Sequence, residues 1–195
     1  SQVGPDFGER RRFVYPKAED INTLQSRYIR NYDDKFRMVM RQHNYADPKT
    51  GYPMWIDVNS FIDEILVQEA CKNSDAYGWS SYFHKDRGKK LAAGPVWDFD
   101  QALSNSTFND GNRFDEWNIN KVWDSVPTFW RRMFNEPTFK YLLKKRWFEV
   151  RQNVWHTDSL MAFIDSTALL LNESQYRNFN RWPLLGNELW RSLPG

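Results

Sequence analysis

The sequence predicts a mainly α-helical fold with one small β-hairpin. Apolar residues recur at helical spacing through most of the chain, in segments separated by short runs of Asn, Asp, Gly and Pro. One pair of short strand-like segments flanks a tight turn that contains Gly88. With 195 residues, of which 41% are hydrophobic and 17% aromatic, the chain is long enough to bury one sizeable core, or two small ones.

The chain begins with a segment that lacks helical periodicity. Residues 1–15 predict an extended lead-in, because they contain glycines, a proline and a run of arginines. Pro16 and Asp20 mark the start of a helix that is expected to reach about Arg41. Residues 43–53, which contain Asn, Asp-Pro and Gly, predict a loop.

The second predicted helix carries one apolar stripe and ends at an acidic turn. Asp57 or Asn59 is expected to cap its start. The helix should stop near Lys72, because residues 73–75 (N-S-D) offer side-chain hydrogen bonds that compete with the helix. The apolar stripe consists of Phe61, Ile62, Ile65 and Leu66.

The predicted hairpin follows this turn. Residues 81–84 and 89–93 form its strands, and Gly88 closes the turn with a positive φ. The polar stretch 104–117, rich in Asn, Asp and Gly, predicts a mobile surface segment.

The last third of the chain predicts three helices. Ser125 and Pro127 start the first, which residues 135–137 (N-E-P) end. The same tripeptide starts the second, and Thr157 caps the third. Helical spacing assigns five tryptophans to the core rather than to a sugar-binding platform. These are Trp117, Trp123, Trp130, Trp147 and Trp155.

Charge and composition exclude some partners. The formal net charge is only +2, from 27 basic and 25 acidic side chains, so overall electrostatics do not favour nucleic acid. No apolar run approaches the length of a membrane span. The single cysteine, Cys71, cannot form an intrachain disulfide and does not indicate a compartment.

The most informative stretch is residues 91–100, read as L-A-A-G-P-V-W-D-F-D. It predicts a buried strand that ends in two carboxylates, Asp98 and Asp100, which point the same way if the chain is extended. Asp75 follows a helix, and the hairpin lies between it and Asp98. One carboxylate that orients a hydroxyl and another that holds magnesium are the requirements of phosphoryl transfer. The mainly helical fold with a hairpin is that of a protein kinase C-terminal lobe.

Structural alternatives remain open for each of these residues. Asp98 and Asp100 would also serve as turn caps or as partners of Lys and Arg. Asn73 either orients the acidic loop or caps the helix, and capping is the simpler interpretation. Glu69 lies on the apolar side of its helix, so it needs a polar partner if it is buried, and a structural ion pair is favoured.

Four segments together resemble the CotH kinase family, named for spore coat protein H. They are W-I-D-V-N-S-F-I-D (55–63), Q-E through N and D (68–75), S-Y-F-H-K-D (81–86) and G-P-V-W-D-F-D (94–100). The resemblance covers roughly residues 13–105, and the rest of the chain shares only its helical, aromatic character.

The resemblance implies an atypical, secretory-type protein kinase of bacteria. It would use ATP and Mg²⁺ or Mn²⁺ to phosphorylate serine in secreted or envelope proteins, outside the cytoplasm. Asp75 would be the catalytic-loop aspartate and Asp98 the metal ligand, with Asp100 as a second ligand. Asn73 and Glu69 would support them. Ser80 occupies the position where protein kinases place a metal-binding asparagine.

Residues 1–74 contain no Gly-rich loop and no strand-borne lysine of the kind that clamps ATP. Residues 16–195 are therefore expected to be the C-terminal part of a kinase-like domain whose N-terminal lobe is absent from this chain. Such a chain would bind nucleotide weakly or not at all.

Three functions compete at this point. The first is a protein serine kinase. The second is an inactive kinase-like module that binds an extracellular protein or glycan. The third is a glycoside hydrolase with Asp75 and Asp98 as its carboxylate pair, which requires the two groups about 5 to 9.5 Å apart across a sugar cleft.

Overall fold

The computed structural model describes residues 2–6, 9–120 and 126–187. Within these residues the chain forms five α-helices and two small antiparallel sheets, so the mainly α prediction is confirmed. The elements in chain order are β1 (Gln2–Asp6), β2 (Glu9–Arg12), α1 (Thr23–Arg41), α2 (Val58–Ala70), β3 (Phe83–His84), β4 (Ala92–Ala93), α3 (Thr128–Phe134), α4 (Pro137–Arg151) and α5 (Thr157–Arg181).

The predicted lead-in contains a pair of strands. β1 and β2 are antiparallel, and Val3 lies opposite Arg11. Sequence reasoning missed this pairing because three consecutive arginines show no apolar–polar alternation.

Helix α1 begins later than predicted. Its cap is Asn22, whose side chain accepts a hydrogen bond from the Gln25 amide at 2.9 Å, while the Gln25 side chain accepts from the Asn22 amide at 3.1 Å. This reciprocal capping box decides the start, and Pro16 and Asp20 lie before it. The end at Arg41 is as predicted.

Helix α2 is tied to the hairpin at its first turn. The Asp57 side chain caps it by accepting from the amides of Asn59 at 3.1 Å and Ser60 at 3.4 Å. The Asp57 amide donates to the Leu91 carbonyl at 2.8 Å, and the Ser60 hydroxyl accepts from the Ala93 amide at 3.1 Å. These bonds fix the orientation of β4 relative to α2.

The hairpin is confirmed, but it is shorter than predicted. Phe83 pairs with Ala93, and Gly88 closes the turn with a φ of 71°. The strand ends at Ala93 instead of continuing to Asp98. Gly94 has a φ of 107°, outside the β region, and Pro95 has no amide hydrogen to pair. Asp98 therefore lies on an exposed, irregular segment rather than at a strand end.

The core is an aromatic cluster between α2, the hairpin and α3. Trp130 is fully buried, and its ring centroid lies 5.0 Å from that of Phe61 and 5.2 Å from that of Tyr77. Of the tryptophans assigned to the core, only Trp130 is buried among those described. Trp117, Trp147 and Trp155 are partly or largely exposed, and Trp123 lies outside the described residues.

The three C-terminal helices are present. Ser125, the predicted start of α3, lies outside the described residues, and Pro127 occupies the cap position. Glu136 caps α4. The cap of α5 is His156, with Thr157 as its first residue, and α5 has no buried residue. None of the described helices combines the length and apolar character needed to cross a membrane.

Candidate functional site

Asn73 connects the two segments on which the predicted carboxylates lie. It is fully buried. Its Oδ1 accepts a hydrogen bond from the Asp75 amide at 3.2 Å, and its Nδ2 donates to the Asp98 carbonyl at 3.5 Å. Asn73 therefore orients the acidic loop rather than only ending the helix. The loop after α2 and the segment after β4 are held in one framework.

Asp75 lies at the start of a tight turn. Its carbonyl accepts from the amides of Trp79 at 3.2 Å and Ser80 at 3.4 Å. Ser80 is buried, whereas Asp75 is half-buried. Ser80 thus stabilises the loop through its backbone, and these bonds do not depend on the Asp75 side chain.

Asp98 and Asp100 form an exposed acidic pair. The negative charge of Asp100 is the largest cause that raises the pKa of Asp98, with smaller contributions from desolvation and a hydrogen bond between the two side chains. Asp98 has a φ of 60°, in the left-handed region. Across the described residues, neither carboxylate forms an ion pair with Lys or Arg. The pair accordingly favours a cation.

In the described part of the chain, Asp98 and Asp100 do not belong to a larger acidic cluster. Among residues 2–6, 9–120 and 126–187, no group of three or more His, Cys, Asp and Glu side chains could hold a metal ion. Mg²⁺ commonly binds through one or two carboxylates and completes its shell with water and substrate phosphates. Asp98 and Asp100 fit that mode, and they do not form an all-protein metal site.

Glu69 accepts a set of hydrogen bonds from neutral donors. Its Oε1 accepts from the Tyr77 hydroxyl and the Ile119 amide, both at 2.8 Å, and its Oε2 accepts from the Asn118 amide at 2.8 Å. Burial raises the pKa of Glu69, although these bonds and the charge of Lys72 act in the opposite direction. The favoured ion pair is thus replaced mainly by uncharged partners.

Asn118 extends this network to the acidic loop. Its Nδ2 donates to the Asn73 carbonyl at 2.9 Å. A chain of hydrogen bonds therefore runs from Glu69 through residue 118 to Asn73, and from there to Asp75 and Asp98. Sequence reasoning missed Asn118, because its contact with Asn73 spans 45 residues and carries no local signature.

The segment predicted to be mobile packs against the site. Asn109 Nδ2 donates to the Ser74 carbonyl at 2.9 Å. Ser106 is fully buried. A Cβ atom on Gly111 would lie 2.9 Å from the Ser106 carbonyl oxygen and 3.0 Å from the Ser74 Cβ atom. Close backbone packing therefore explains the polar, glycine-containing composition of this segment better than mobility does.

Comparison with protein-family models identifies the family. The model described as CotH kinase protein matches residues 9–192. The chain belongs to the CotH family. The match includes the C-terminal helices, so it extends well beyond the predicted range of 13–105. No curated protein and no solved structure matches the chain. Membership in the CotH family suggests a kinase-like function.

Removing the Asn118 side chain is expected to weaken the acidic loop. Asn118→Ala deletes the bond to the Asn73 carbonyl and should lower the free energy of unfolding by about 1–2 kcal/mol. Urea denaturation measures this change. Asn120→Ala is the matched control, because Asn120 lies in the same turn and is exposed. Equal stability changes in the two variants would contradict a supporting role for Asn118.

Proposed function

We propose that the protein that carries this chain transfers the γ-phosphoryl group of ATP to serine hydroxyls of secreted or envelope proteins. The observation that carries the proposal is the double hydrogen bond of Asn73, which ties the Asp75 loop to the Asp98 segment. Phosphoryl transfer needs two carboxylates with separate roles held in fixed relation. Membership in the CotH family supports the same reaction class.

Asp75 is the proposed catalytic base. Its carboxylate orients the serine hydroxyl and accepts its proton as the serine oxygen bonds to the γ-phosphorus. The bond between the γ-phosphorus and the bridging oxygen breaks, and ADP leaves with that oxygen. The backbone bonds of Asp75 hold its loop in place, and its half-buried position leaves the side chain within reach of a protein substrate.

Asp98 and Asp100 are the proposed ligands of Mg²⁺ or Mn²⁺. Their oxygen donors suit these hard cations, and their mutual repulsion would be relieved by one. When bound, the ion supplies charge neutralisation on the phosphates. By holding that ion, the acidic pair would position the phosphate end of ATP relative to Asp75.

By its family, the protein is proposed to act outside the cytoplasm of a bacterium, on a protein partner and not on nucleic acid. The net charge of +2 supports the second point, because it provides little general attraction for a polyanion. The helical lobe with its hairpin is proposed to correspond to the C-terminal lobe of protein kinases.

Labelled phosphate tests the proposal directly. The protein that carries this chain is incubated with γ-labelled ATP and a dephosphorylated serine-rich acceptor protein, and acid hydrolysis identifies the labelled amino acid. Phosphoserine is expected. Chelation of divalent ions should lower the rate at least about a hundredfold, and added Mg²⁺ or Mn²⁺ should restore it.

A point variant tests whether the metal dependence of phosphate transfer comes from the acidic pair. Asp98→Asn should reduce transfer and raise the Mg²⁺ concentration needed for half-maximal rate. Asp110→Asn is the control, because Asp110 lies on the neighbouring segment outside the proposed pair. Transfer that is indifferent to chelation and to Asp98→Asn would overturn the assignment. Absence of transfer, with retained binding of an extracellular protein or glycan, would favour the inactive-module hypothesis.

A further inference from the structure

Helix α5 exposes an apolar surface that nothing in the described structure covers. It has no buried residue. Within residues 160–171, the exposed fraction of the large apolar side chains ranges from 37% for Leu160 to 81% for Leu170. A helix that is apolar on nearly all sides is normally buried. Exposed patches of this kind mark interaction sites.

We propose that α5 pairs with α5 of a second copy of this chain, in antiparallel orientation. The two-fold axis of the pair would pass between Asp165 and Ser166, at the middle of the apolar segment. A symmetric dimer of this type uses one surface twice, so the surface must complement itself.

The central stripe of α5 meets this requirement. Leu160, Ile164, Thr167 and Leu171 follow the alternating spacing of three and four residues that forms the seam of a helix pair. Reversal about the proposed axis places Leu160 opposite Leu171 of the second copy, and Ile164 opposite Thr167 of the second copy. Every seam position then faces an apolar residue or a threonine methyl group.

Each flank of the stripe faces the same flank of the second copy. Phe163 and Leu170 lie on one flank and Met161 and Ala168 on the other, so Phe163 comes nearest to Leu170 of the second copy and Met161 nearest to Ala168 of the second copy. Both contacts are apolar. No lysine, arginine or glutamate lies within residues 160–171, and the one charged residue there, Asp165, falls outside the seam.

The available area suffices for a stable dimer. Without Leu169, which lies on the opposite face of the helix, the exposed fractions of the large apolar side chains in this segment correspond to roughly 700 Å² per copy, since a fully exposed large side chain presents about 200 Å². Standard interfaces bury about 600 to 1,000 Å² per partner. The face therefore matches a specific interface in size.

The helix dipoles favour the antiparallel orientation. Two antiparallel helices oppose their dipoles, whereas two parallel helices align them. The charged residues of α5 lie outside the central stripe, and Glu173 is paired with Arg177 of its own helix at 2.8 Å. A parallel pair would also bring each charged residue next to the same residue of the second copy.

Analytical ultracentrifugation of the purified protein tests the pairing. The wild-type chain is expected to form a dimer at micromolar concentrations. Ile164→Glu places a charge in the seam and should raise the dimer Kd at least about thirtyfold. Leu169→Glu is the matched control: Leu169 is 77% exposed and lies on the face opposite the seam, so its Kd should change less than about threefold. Circular dichroism checks that both variants keep the helix.

A spin label tests the orientation. On a Cys71→Ser background, Asn180→Cys is labelled and the distance between the two copies is measured by pulsed electron paramagnetic resonance. The antiparallel pair predicts about 43 Å along the helix axis, because residue 180 lies about 14.5 residues from the proposed axis at 1.5 Å each. A wild-type monomer, equal weakening by both glutamate variants, or a distance below about 20 Å would overturn the proposal.

Discussion

The Asp75→Asn variant is expected to transfer phosphate about 10²- to 10⁴-fold more slowly than the wild type, which is the usual contribution of a positioned general base. Asparagine keeps the size of the side chain but cannot accept the serine proton. The bonds that shape the loop join the Asp75 backbone to Asn73, Trp79 and Ser80, so they survive the substitution. The rate of the protein that carries this chain, measured at saturating Mg-ATP, gives the effect, and its KM for ATP should change little.

A matched control makes this prediction specific. Asp86 is exposed in the hairpin turn between the two proposed carboxylates, so Asp86→Asn removes one negative charge at a comparable place in the sequence. Its rate should stay within about twofold of the wild type. A less than tenfold decrease in the transfer rate of Asp75→Asn, or an equal decrease in both variants, would contradict the role of Asp75 as the general base.

Local signals predict most of the elements. The sequence offers Asp57 and Asn59 as caps for α2, and Asp57 is the cap because its carboxylate reaches the first free amides of the helix. The sequence places Gly88 in the hairpin turn, and its positive φ confirms this. Both outcomes depend on neighbours within a few residues, which a sequence pattern records directly.

The sequence predictions are wrong where a distant contact decides the structure. The apolar run before Asp98 predicts a strand that continues to that residue, but only Ala92 and Ala93 pair with another strand. The position of Glu69 predicts a polar partner, but the pattern does not identify Asn118 and Ile119 as its donors. Such partners are set by tertiary packing, which leaves no local periodicity to detect.

The candidate site can be predicted only in part. Local context and a family resemblance indicate Asp75 and Asp98, and Asn73 bonds to both of their backbones. Whether they act together as base and metal ligand stays a prediction. Helix α5 is a second case. Helical spacing predicts an apolar face, but it does not distinguish a face that packs on the protein's own core from a face that another chain covers.

The Trp130→Ala variant is expected to lose about 3–5 kcal/mol of unfolding free energy, the usual cost of deleting a fully buried tryptophan. Trp130 contacts Phe61, Tyr77 and Phe129 at centroid distances of 5.0, 5.2 and 5.3 Å. Rings from α2, the acidic loop and α3 therefore meet on one side chain. Thermal and urea denaturation measure the loss, and the Tm should fall by roughly 10 °C.

Trp130→Phe is the control for this core variant. It keeps an aromatic ring in the cluster and removes the indole Nε1, which is buried and has no hydrogen-bond partner among the described residues. Its cost should stay below about 2 kcal/mol, because relief of that unpartnered group offsets part of the lost contact area. A similar cost for both variants would contradict the assigned packing.

The same pair of variants tests how the core supports the site. Tyr77 packs against Trp130 and donates to Glu69 at 2.8 Å, so a cavity at Trp130 loosens the network that holds Asn118 and Asn73. Trp130→Ala should therefore lose stability and phosphate transfer together. Asp75→Asn should lose transfer while its unfolding free energy changes by less than about 1 kcal/mol. This difference distinguishes a side chain that holds the site in place from one that takes part in the reaction.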